Sequence, residues 1–407
     1  MTAEHKHKKN PPRAGIPRHP ELRLVKSLRN AVRAGHPWLF NSAFAKYPDL
    51  PPGACVRVVD ERGFLCLGIY EPDHPIAVRV WSLDEEDEPS VASVALRLHA
   101  ACELRQRVIS RDVEAYRLLH GEADACPGWA VDCYRDILVL RTDGEAAAAR
   151  IPQFLQAVSE VPALRAMRSI IHRRSRGDDG PVFQVLQGEE PQPVTCREYR
   201  WLMEADVLHG QKTGWFVDQR ENRRLIHDIS HDLHVANLFS YTGGFSLAAA
   251  LGGARSVTSV DISASAMEAA RRNFTLNNLD MSRHHFEAVD AFDWFEKARN
   301  SDRDYDLLII DPPSFAPNQR SLENAKKAYG RLFHLGAQKL CAGGLLAASS
   351  CSSHVDPAMF RDIVSEATRK AGRRMRILAD RGAGPDHPEL PAFPEGRYLK
   401  FLLCELS

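Results

Sequence analysis

The sequence lacks an excess charge of either sign, a cysteine pattern and a long apolar run. Its 53 lysine and arginine residues balance 53 aspartate and glutamate residues, which at first argues against a nucleic-acid partner. The nine cysteines are odd in number and irregularly spaced, so neither a disulfide framework nor a zinc site is indicated. No apolar run approaches the roughly 18 to 20 residues of a membrane helix. We therefore expect a cytoplasmic protein that binds neither metal nor membrane.

Although the net charge is zero, the charged residues are unevenly distributed along the chain. Basic residues greatly outnumber acidic ones over residues 1–33, a second basic run occupies 172–176, and consecutive acids occupy 84–88. Each run alone is more typical of a solvated face or a flexible tail. Residues 1–20 have almost no large apolar side chains to offset the entropy of ordering, so we expect a disordered basic tail there.

Turn-forming residues and apolar spacing divide the rest of the chain into three parts. Residues 21–90 contain short alternating apolar segments separated by Gly and Pro, which predicts a small β-rich domain. Residues 91–195 begin with a helical pattern and continue with strands, which predicts a small central α+β domain. Over residues 196–407, apolar runs alternate with amphipathic helices, which is typical of an α/β domain whose parallel sheet is covered on both faces.

The clearest motif of the last domain is an apolar strand at 235–239 that leads into Gly243-Gly244 and then a helix. Glycines let a ligand approach the backbone beyond the carboxyl ends of the strands. The next strand ends in Asp261, at roughly the spacing at which an acid binds ribose hydroxyls. The glycine turn and Asp261, taken alone, fit a dehydrogenase equally well. They also fit a turn with a purely structural role. The turn lacks the Gly-x-Gly-x-x-Gly pattern of pyrophosphate sites, which a nucleoside without phosphates does not require.

Two further strand ends carry reactive side chains. Asp311 follows a buried apolar strand and precedes Pro312 and Pro313, which make the next backbone extended and rigid. A carboxylate held there can bind or protonate a nucleobase, although it can also simply end a strand. Cys351 follows the strand at 345–349 on the same expected edge. A free cysteine is more often an inert buried residue, so a nucleophile at this position needs surroundings that lower its pKa.

These motifs together resemble the bacterial 23S ribosomal RNA cytosine-C5 methyltransferases of the RlmI type. The resemblance covers nearly the whole chain after the tail. It begins with 26–28 and 35–40, which look like the opening of the family's PUA domain, a small RNA-binding β-barrel. The motifs that occur in the family's order in the catalytic part are 210–214, 218–220, 239–245, 311–313, 350–352, 386–388 and 394–400.

The resemblance implies an activity and a domain organisation. It implies a Rossmann-like class I methyltransferase domain that uses S-adenosyl-L-methionine, behind an N-terminal PUA-like β-barrel. It further implies that the Cys351 thiolate adds to carbon 6 of a cytosine, that Asp311 holds or protonates the ring, and that carbon 5 then takes the methyl group. The implied partner is 23S ribosomal RNA, captured by the PUA-like domain with help from the basic tail and from Arg173 and Arg174. A homodimer is compatible with this interpretation.

The family pattern and the strand ends together assign the remaining site residues. The turn after the first strand is expected by the methionine portion of the cofactor, Asp261 by the ribose and Asp290 near the adenine. The catalytic residues are expected to be Cys351 and Asp311. The substrate contacts are expected to be Pro312, Pro313 and Ser314. The expected cofactor contacts are Lys212, Thr213, Phe216, Gln219, Asn237, Phe239, Ser240, Tyr241, Thr242, Gly243, Asp261, Ile262, Ser263, Asp290 and Asp311.

Other functions remain open from the sequence. Ser314 stands where some family members have lysine, and the central domain looks shortened, so the target nucleotide can differ. The same fold could methylate a nitrogen, because Asp-Pro-Pro followed by an aromatic residue resembles the amine-methylating motif, and Cys351 would then be passive. The chain could also be a non-catalytic RNA-binding assembly factor that retains a cofactor pocket. A dehydrogenase is the third alternative.

Overall fold

The structure of the protein is a computed structural model that describes residues 18–174, 182–298, 304–316 and 318–407. The basic tail expected at 1–20 therefore lies, except for its last three residues, outside the described residues. No helix in these ranges has the length and the apolar run to cross a membrane.

The N-terminal part is a five-stranded sheet in the order β1-β3-β4-β5-β2. The closed barrel expected from the resemblance is not present as a continuous ladder in the described chain. Only an isolated bridge between Leu24 and Phe44 joins the two edges, because β1 and β2 are too short to pair along their length. The elements of this part are β1 (Glu21–Arg23), α1 (Arg29–Arg33), β2 (Trp38–Phe40), β3 (Cys55–Asp60), β4 (Gly63–Tyr70) and β5 (Ile76–Ser82).

The central part is a second five-stranded sheet, in the order β10-β9-β8-β7-β6. Leu98 of α2 and Phe154 of α4 pack in one core with Val131 and Leu140 of the sheet. A separate core joins Val139 to Met203 of the hairpin β11–β12, so the sheet lies between helices and hairpin. The elements are α2 (Val91–Val108), β6 (Ala115–His120), β7 (Trp129–Tyr134), β8 (Ile137–Thr142), α3 (Glu145–Ala149), α4 (Ile151–Glu160), β9 (Ser169–Arg173), β10 (Phe183–Gln187), β11 (Val194–Glu198) and β12 (Trp201–Ala205).

The first two residues of the basic run at 172–176 are not exposed as the sequence predicts, and residues 175 and 176 lie outside the described residues. His172 and Arg173 are the last residues of β9 and are buried. The Arg173 guanidinium donates to the carbonyls of Val207 at 2.9 Å and Gly210 at 2.8 Å. The expected RNA contact at Arg173 is therefore wrong, because its donors hold the backbone that leads into the last domain.

The last part is a seven-stranded sheet in the order β15-β14-β13-β16-β17-β19-β18. The first five strands in this order are parallel, which confirms the parallel sheet predicted from the alternating pattern, and β19 is antiparallel to its neighbours. The elements are α5 (Arg220–Ile229), β13 (His234–Leu238), α6 (Gly244–Leu251), β14 (Ser256–Asp261), α7 (Ala264–Leu276), β15 (His284–Ala288), α8 (Ala291–Ala298), β16 (Tyr305–Ile310), α9 (Leu322–Lys339), β17 (Leu340–Ser350), α10 (Pro357–Lys370), β18 (Met375–Arg381) and β19 (Lys400–Leu406).

The strand order of this sheet brings the predicted site residues to one edge. Strand β13 pairs with β14 on one side and with β16 on the other, so the chain changes direction across the sheet at this point. In open α/β sheets, ligands bind at such a switch point, beyond the carboxyl ends of the strands. Because β16 and β17 pair in parallel, the residues after them, Asp311 and Cys351, reach the same edge.

Asp386 joins the central sheet to the last domain. It is fully buried, and its carboxylate accepts two hydrogen bonds from the Arg220 guanidinium, at 2.9 and 3.0 Å. The same carboxylate accepts the backbone N–H of Arg117 in β6 at 2.9 Å, and the Asp386 carbonyl accepts from Arg105 in α2 at 2.8 Å. A buried carboxylate needs such donors because leaving water is costly for a charge. Asp386 therefore holds the central domain against the start of α5.

We predict that Asp386→Ala strongly destabilises the protein, since both terminal nitrogens of the buried Arg220 guanidinium would lose their acceptor and only the bond from Nε to Glu221 would remain. Breaking a buried ion pair on one side typically costs about 3 to 5 kcal/mol. Urea unfolding followed by tryptophan fluorescence measures the change in unfolding free energy. The control is Glu366→Ala, which removes an exposed pair with Lys370 and should change stability little. Similar unfolding curves for the two variants would contradict the structural role of Asp386.

Candidate functional site

A cleft of about 1100 Å³ opens beyond the carboxyl ends of the parallel strands, and we name it the strand-end cleft. It is lined by residues that directly follow the strands, by the segment 211–223 and by Leu399. Most of the residues expected from the sequence line this cleft. They are Lys212, Phe216, Gln219, Phe239, Ser240, Tyr241, Thr242, Asp261, Ile262, Asp290, Asp311, Pro312, Pro313 and Cys351.

The turn between β13 and α6 has an unusual backbone. Phe239 and Tyr241 have φ angles of 59° and 49°, and Gly243 has a φ of 80°. Left-handed angles are uncommon outside glycine, and such strain persists where the surrounding structure enforces it, often at ligand sites. The Ser240 N–H donates to the Val260 carbonyl of β14 at 3.0 Å, so the neighbouring strand holds the turn in place. The turn therefore presents a fixed backbone to the cleft.

Asp261 ends β14 beside this turn. Its Oδ2 accepts the N–H of Tyr241 and its Oδ1 accepts the N–H of Ser263, both at 2.9 Å. These bonds hold the carboxylate at the cleft, next to Ile262, whose side chain is 75% exposed. Asp290 follows β15 and lines the same cleft. A fixed carboxylate next to an exposed apolar side chain suits the ribose and the base of a nucleoside.

Two residues expected to touch the cofactor lie behind the wall of the cleft. Thr213 is buried, and its hydroxyl donates to Asp132 at 2.6 Å and contacts the Tyr134 hydroxyl at 2.9 Å. Asn237 is buried within β13, and its Nδ2 donates to Ser246 of α6 at 2.9 Å. Because neither side chain lines the cleft, both act as supports for the site, the first from the central domain and the second from the sheet.

Three further residues also support the cleft without lining it. Gly243 precedes α6, and a Cβ at this position would lie 2.9 Å from that of Ala270, so glycine allows α6 and α7 to approach closely. Ser263 caps α7 through a hydrogen bond from the N–H three residues later. Ser314 makes a hydroxyl contact of 3.0 Å with Ser352, next to Cys351. Ser314 is exposed, so the substrate contact expected at this position stays a prediction.

Asp311 follows β16 and lines the cleft. Nε2 of Gln219 donates to its Oδ2 at 3.1 Å and to the Ser349 hydroxyl at 3.4 Å. Burial, followed by the nearby charge of Asp218, raises the pKa of Asp311 to about 6. A carboxyl group with such a pKa can both give and take a proton near neutral pH.

Cys351 follows β17, and its surroundings differ from those expected. The sequence argument requires a lowered pKa, whereas burial raises the pKa of the Cys351 thiol, and the positive charge of Lys212 offsets only part of the rise. The expectation of a lowered pKa is therefore wrong, because the sequence does not show how completely the cleft excludes water. At neutral pH the thiol is protonated, so forming the thiolate requires a proton acceptor or added positive charge.

Sequence reasoning assigned no role to Asp218 and Tyr398, which the structure brings into the site. The Asp218 carboxylate accepts from Lys212 Nζ and from the Tyr398 hydroxyl, both at 2.7 Å. Burial alone would raise the pKa of Asp218, but the charges of Lys212 and His387 and the hydrogen bonds from Lys212 and Tyr398 together outweigh it and hold that pKa below its usual range. The available signal was that both residues lie in family-like motifs, at 218–220 and 394–400.

Hydrogen bonds hold the turn that carries Cys351. The hydroxyls of Ser350 and Ser352, on either side of it, contact the Tyr329 hydroxyl at 3.0 and 2.9 Å. Lys400 Nζ donates to the Ser352 carbonyl at 2.6 Å. Burial lowers the pKa of Lys400 to about 8. Two ammonium groups, those of Lys400 and Lys212, therefore act electrostatically on the thiol and favour its charged form.

The donors and acceptors of the strand-end cleft fit a nucleoside that carries a polar amino-acid group. Ser240 Oγ, Thr242 Oγ1 and Asp218 Oδ1 line the cleft, are buried, and have no hydrogen-bond partner among the described residues. Buried polar atoms without partners are uncommon, and a bound ligand accounts for them. In the same parts of the chain, no group of three or more His, Cys, Asp or Glu side chains is placed to hold a metal ion.

Comparisons with known proteins agree with this geometry. The family model described as S-adenosylmethionine-dependent methyltransferase matches residues 143–404, and a PUA-like domain model matches residues 22–83. A methyltransferase structure from Streptococcus mutans has a TM-score of 0.84 at 24% identity, covering 95% of this chain and 100% of that chain. A methyltransferase solved in complex with SAH has a TM-score of 0.85 at 25% identity, with the same coverage.

Relatives with assigned names extend over most of the chain. The protein is 39% identical to the ribosomal RNA large subunit methyltransferase of Deinococcus radiodurans, across 95% of this chain and 97% of the relative. It is 33% identical to ribosomal RNA large subunit methyltransferase I of Cronobacter sakazakii, across 95% of this chain and 99% of the relative. The resemblance seen in the sequence, the PUA-like domain and the cofactor are thereby confirmed. The chain belongs to the S-adenosylmethionine-dependent methyltransferase family, together with the proteins named ribosomal RNA large subunit methyltransferase I.

Proposed function

We propose that this protein forms 5-methylcytidine in large-subunit ribosomal RNA through a covalent adduct of Cys351. The names of its relatives support ribosomal RNA as the substrate, and they give no support for a homodimer. The observation that carries the proposed chemistry is that Cys351 and Asp311 follow adjacent parallel strands and line one cleft. A thiol and a carboxyl group so placed can act on one cytosine ring. Because ribosomes are assembled in the cytoplasm, we expect the protein to act there.

The residues of the strand-end cleft would hold S-adenosylmethionine by separate groups. The unpartnered hydroxyls of Ser240 and Thr242 suit its amino-acid portion, the Asp261 carboxylate suits the ribose hydroxyls, and Ile262 and Asp290 suit the adenine. When bound, S-adenosylmethionine supplies an electrophilic methyl group. The chain's own residues then have to make carbon 5 of the cytosine nucleophilic.

Cys351 and Asp311 divide this task. Asp311, with a pKa of about 6, is largely ionised at neutral pH and can take the proton of the thiol. Sγ of Cys351 then forms a bond to carbon 6, and the electron pair of the carbon 5 to carbon 6 double bond moves into the ring, where the proton on Asp311 passes to N3. After carbon 5 has taken the methyl group, its proton passes to water, and the electron pair left behind re-forms the carbon 5 to carbon 6 double bond and expels Sγ as the thiolate. The proton on N3 then returns through Asp311 to that thiolate, which restores the resting protein. Lys212 and Lys400 favour the thiolate on which the first step depends.

Nitrogen methylation, the first alternative, finds less support in the structure. In that chemistry the aromatic residue after Asp-Pro-Pro would stack on the base. The corresponding residue here is Phe315, because Ser314 intervenes. The Phe315 ring lies 4.9 Å from the ring of Tyr329 and does not line the strand-end cleft. Its contact with Tyr329 directs this aromatic side chain to the core of the domain.

The proposed product can be identified directly. We predict that the purified protein with S-adenosylmethionine converts one cytidine of unmodified 23S ribosomal RNA to 5-methylcytidine, as read by nuclease mapping and mass spectrometry. Methylation on a nitrogen of the base would support the first alternative instead. Cofactor binding without turnover on free 23S RNA or on large-subunit particles would support a non-catalytic assembly factor.

We predict that Cys351→Ala abolishes methyl transfer while binding of S-adenosylmethionine and RNA is retained. Removal of a nucleophile takes away an interaction of the transition state, so kcat should fall on the order of a thousandfold or more. Transfer of labelled methyl groups and calorimetry measure the two effects. The control is Cys341→Ala, in the same strand but outside the cleft, which should keep normal turnover. Normal turnover by Cys351→Ala would exclude the covalent mechanism.

We predict that Asp311→Asn is inactive but more stable than the wild type above pH 6. The folded state raises the pKa of Asp311 to about 6, so it has to hold an unfavourable charge once this group ionises. The free energy of unfolding of the wild type therefore falls as the pH rises from about 4 to about 6. Asparagine has no such charge, and its gain at pH 8 should be about 2 to 3 kcal/mol, vanishing below about pH 4. Urea unfolding across this pH range tests the prediction, with the exposed Asp293→Asn as control. A variant that is equally destabilised at every pH would contradict it.

A further inference from the structure

A second cleft, of about 1210 Å³, adjoins the strand-end cleft, and we name it the interdomain cleft. It is lined by Trp38 of the N-terminal sheet, by the central sheet and by the segment 388–398 of the last domain. Lys212 lines both clefts, and Ser353, two residues after Cys351, lines the second. The two clefts therefore meet at Lys212, close to the reactive thiol.

Arg141 in β8 places an uncompensated charge in the interdomain cleft. Its side chain is half-buried, and among the described residues its guanidinium has no hydrogen bond and no ion pair. Burial, and then the neighbouring charge of Arg117, lower the pKa of Arg141, yet a guanidinium remains protonated in proteins. A partly buried cation without an anion is costly unless a ligand supplies one.

The acidic residues around Arg141 are already paired with other arginines. The Asp132 carboxylate accepts from Arg117 at 2.6 Å. The carboxylates of Glu122 and Asp143 accept from the two ends of the buried Arg79 guanidinium, at 2.5 and 2.7 Å. Among the described residues, the Arg141 guanidinium thus lacks a direct counter-ion, and its five N–H donors are available to an external anion.

The interdomain cleft also carries aromatic rings. Trp38 and Phe393 make an edge-to-face contact with centroids 4.5 Å apart, and the Trp38 Nε1 donates to Glu122 at 2.8 Å, which fixes the indole. Tyr398 also lines the cleft. Its hydroxyl donates to Asp218, which also accepts from Lys212, so the Tyr398 ring lies near Lys212. Unpaired bases stack on aromatic side chains, while arginines bind the phosphates between them.

We propose that the interdomain cleft holds the single-stranded RNA segment that flanks the target nucleotide, with Arg141 bound to a backbone phosphate beside that nucleotide. This inference rests on the proposed function, since it needs RNA as the substrate. It names Arg141 as a substrate-binding residue and Trp38 as a stacking surface for a neighbouring base. It also gives the three domains a common role, because each contributes a wall to the path of the strand.

The first test compares Arg141→Gln with Arg111→Gln, an exposed arginine of the same domain that lies outside both clefts. Arg141→Gln should raise KM for the RNA by about tenfold or more, as expected for a lost charged hydrogen bond, with kcat and S-adenosylmethionine affinity nearly unchanged. The slope of log affinity against log salt should become shallower by about 0.7, the value for one phosphate of a single strand. A KM for the RNA and a salt dependence equal to those of Arg111→Gln would overturn the proposal.

The second test locates the phosphate, and because each linkage is compared within one protein, a general loss of affinity in the variant cancels. Neutral methylphosphonate linkages are placed one at a time around the target nucleotide of a short RNA substrate. The proposal predicts one linkage that weakens binding to the wild type about tenfold and binding to Arg141→Gln less than about twofold. Equal losses for both proteins at every linkage would overturn it. A wild type that binds and methylates no RNA would instead count against the proposed function.

Discussion

The buried pair between Arg220 and Asp386 is the contact on which the site depends. Arg220 begins α5, and the residue before it, Gln219, donates to Asp311 at the end of β16. Because the Asp386 carboxylate also accepts the N–H of Arg117, one buried charge fixes the first turn of α5 against both the central sheet and the last domain. The strand ends supply the reactive groups, and this junction sets the position of the opposite wall of the cleft.

Burial at this edge of the sheet acts on the pKa values of the two reactive groups with different consequences. It raises the pKa of Asp311 to about 6, which makes that carboxyl group useful as a proton carrier near neutral pH. It also raises the pKa of Cys351, which opposes formation of the thiolate. The positive charges of Lys212 and Lys400 offset part of this cost, and Asp311 is placed to accept the proton of the thiol. Such opposed requirements explain why ionisable groups are concentrated around a single thiol.

The sequence predicts the parts of this site that follow from strand order. Asp261, Asp311 and Cys351 each follow an apolar run, and the carboxyl ends of parallel strands meet at one edge, so their convergence is predictable. The pairing of Asp218 with Tyr398 is not, because 180 residues separate them and only the tertiary fold brings them together. The burial of Arg173 is unpredictable for a related reason: a basic run in a sequence indicates a solvated face, whereas Arg173 is buried against backbone carbonyls. Burial also determines the pKa of Cys351, and no local pattern records it.

The central claim is that the Cys351 thiol, although protonated at rest, becomes covalently bound to the cytosine ring during each turnover. RNA that carries 5-fluorocytidine at the target position tests this most directly, because fluorine cannot leave carbon 5 as a proton does and the adduct is trapped. With S-adenosylmethionine present, the account predicts a denaturant-resistant complex of protein and RNA whose cross-linked peptide, read by mass spectrometry, contains Cys351. A preparation that methylates ordinary RNA but forms no adduct with the fluorinated RNA, or one joined through another residue, would contradict it.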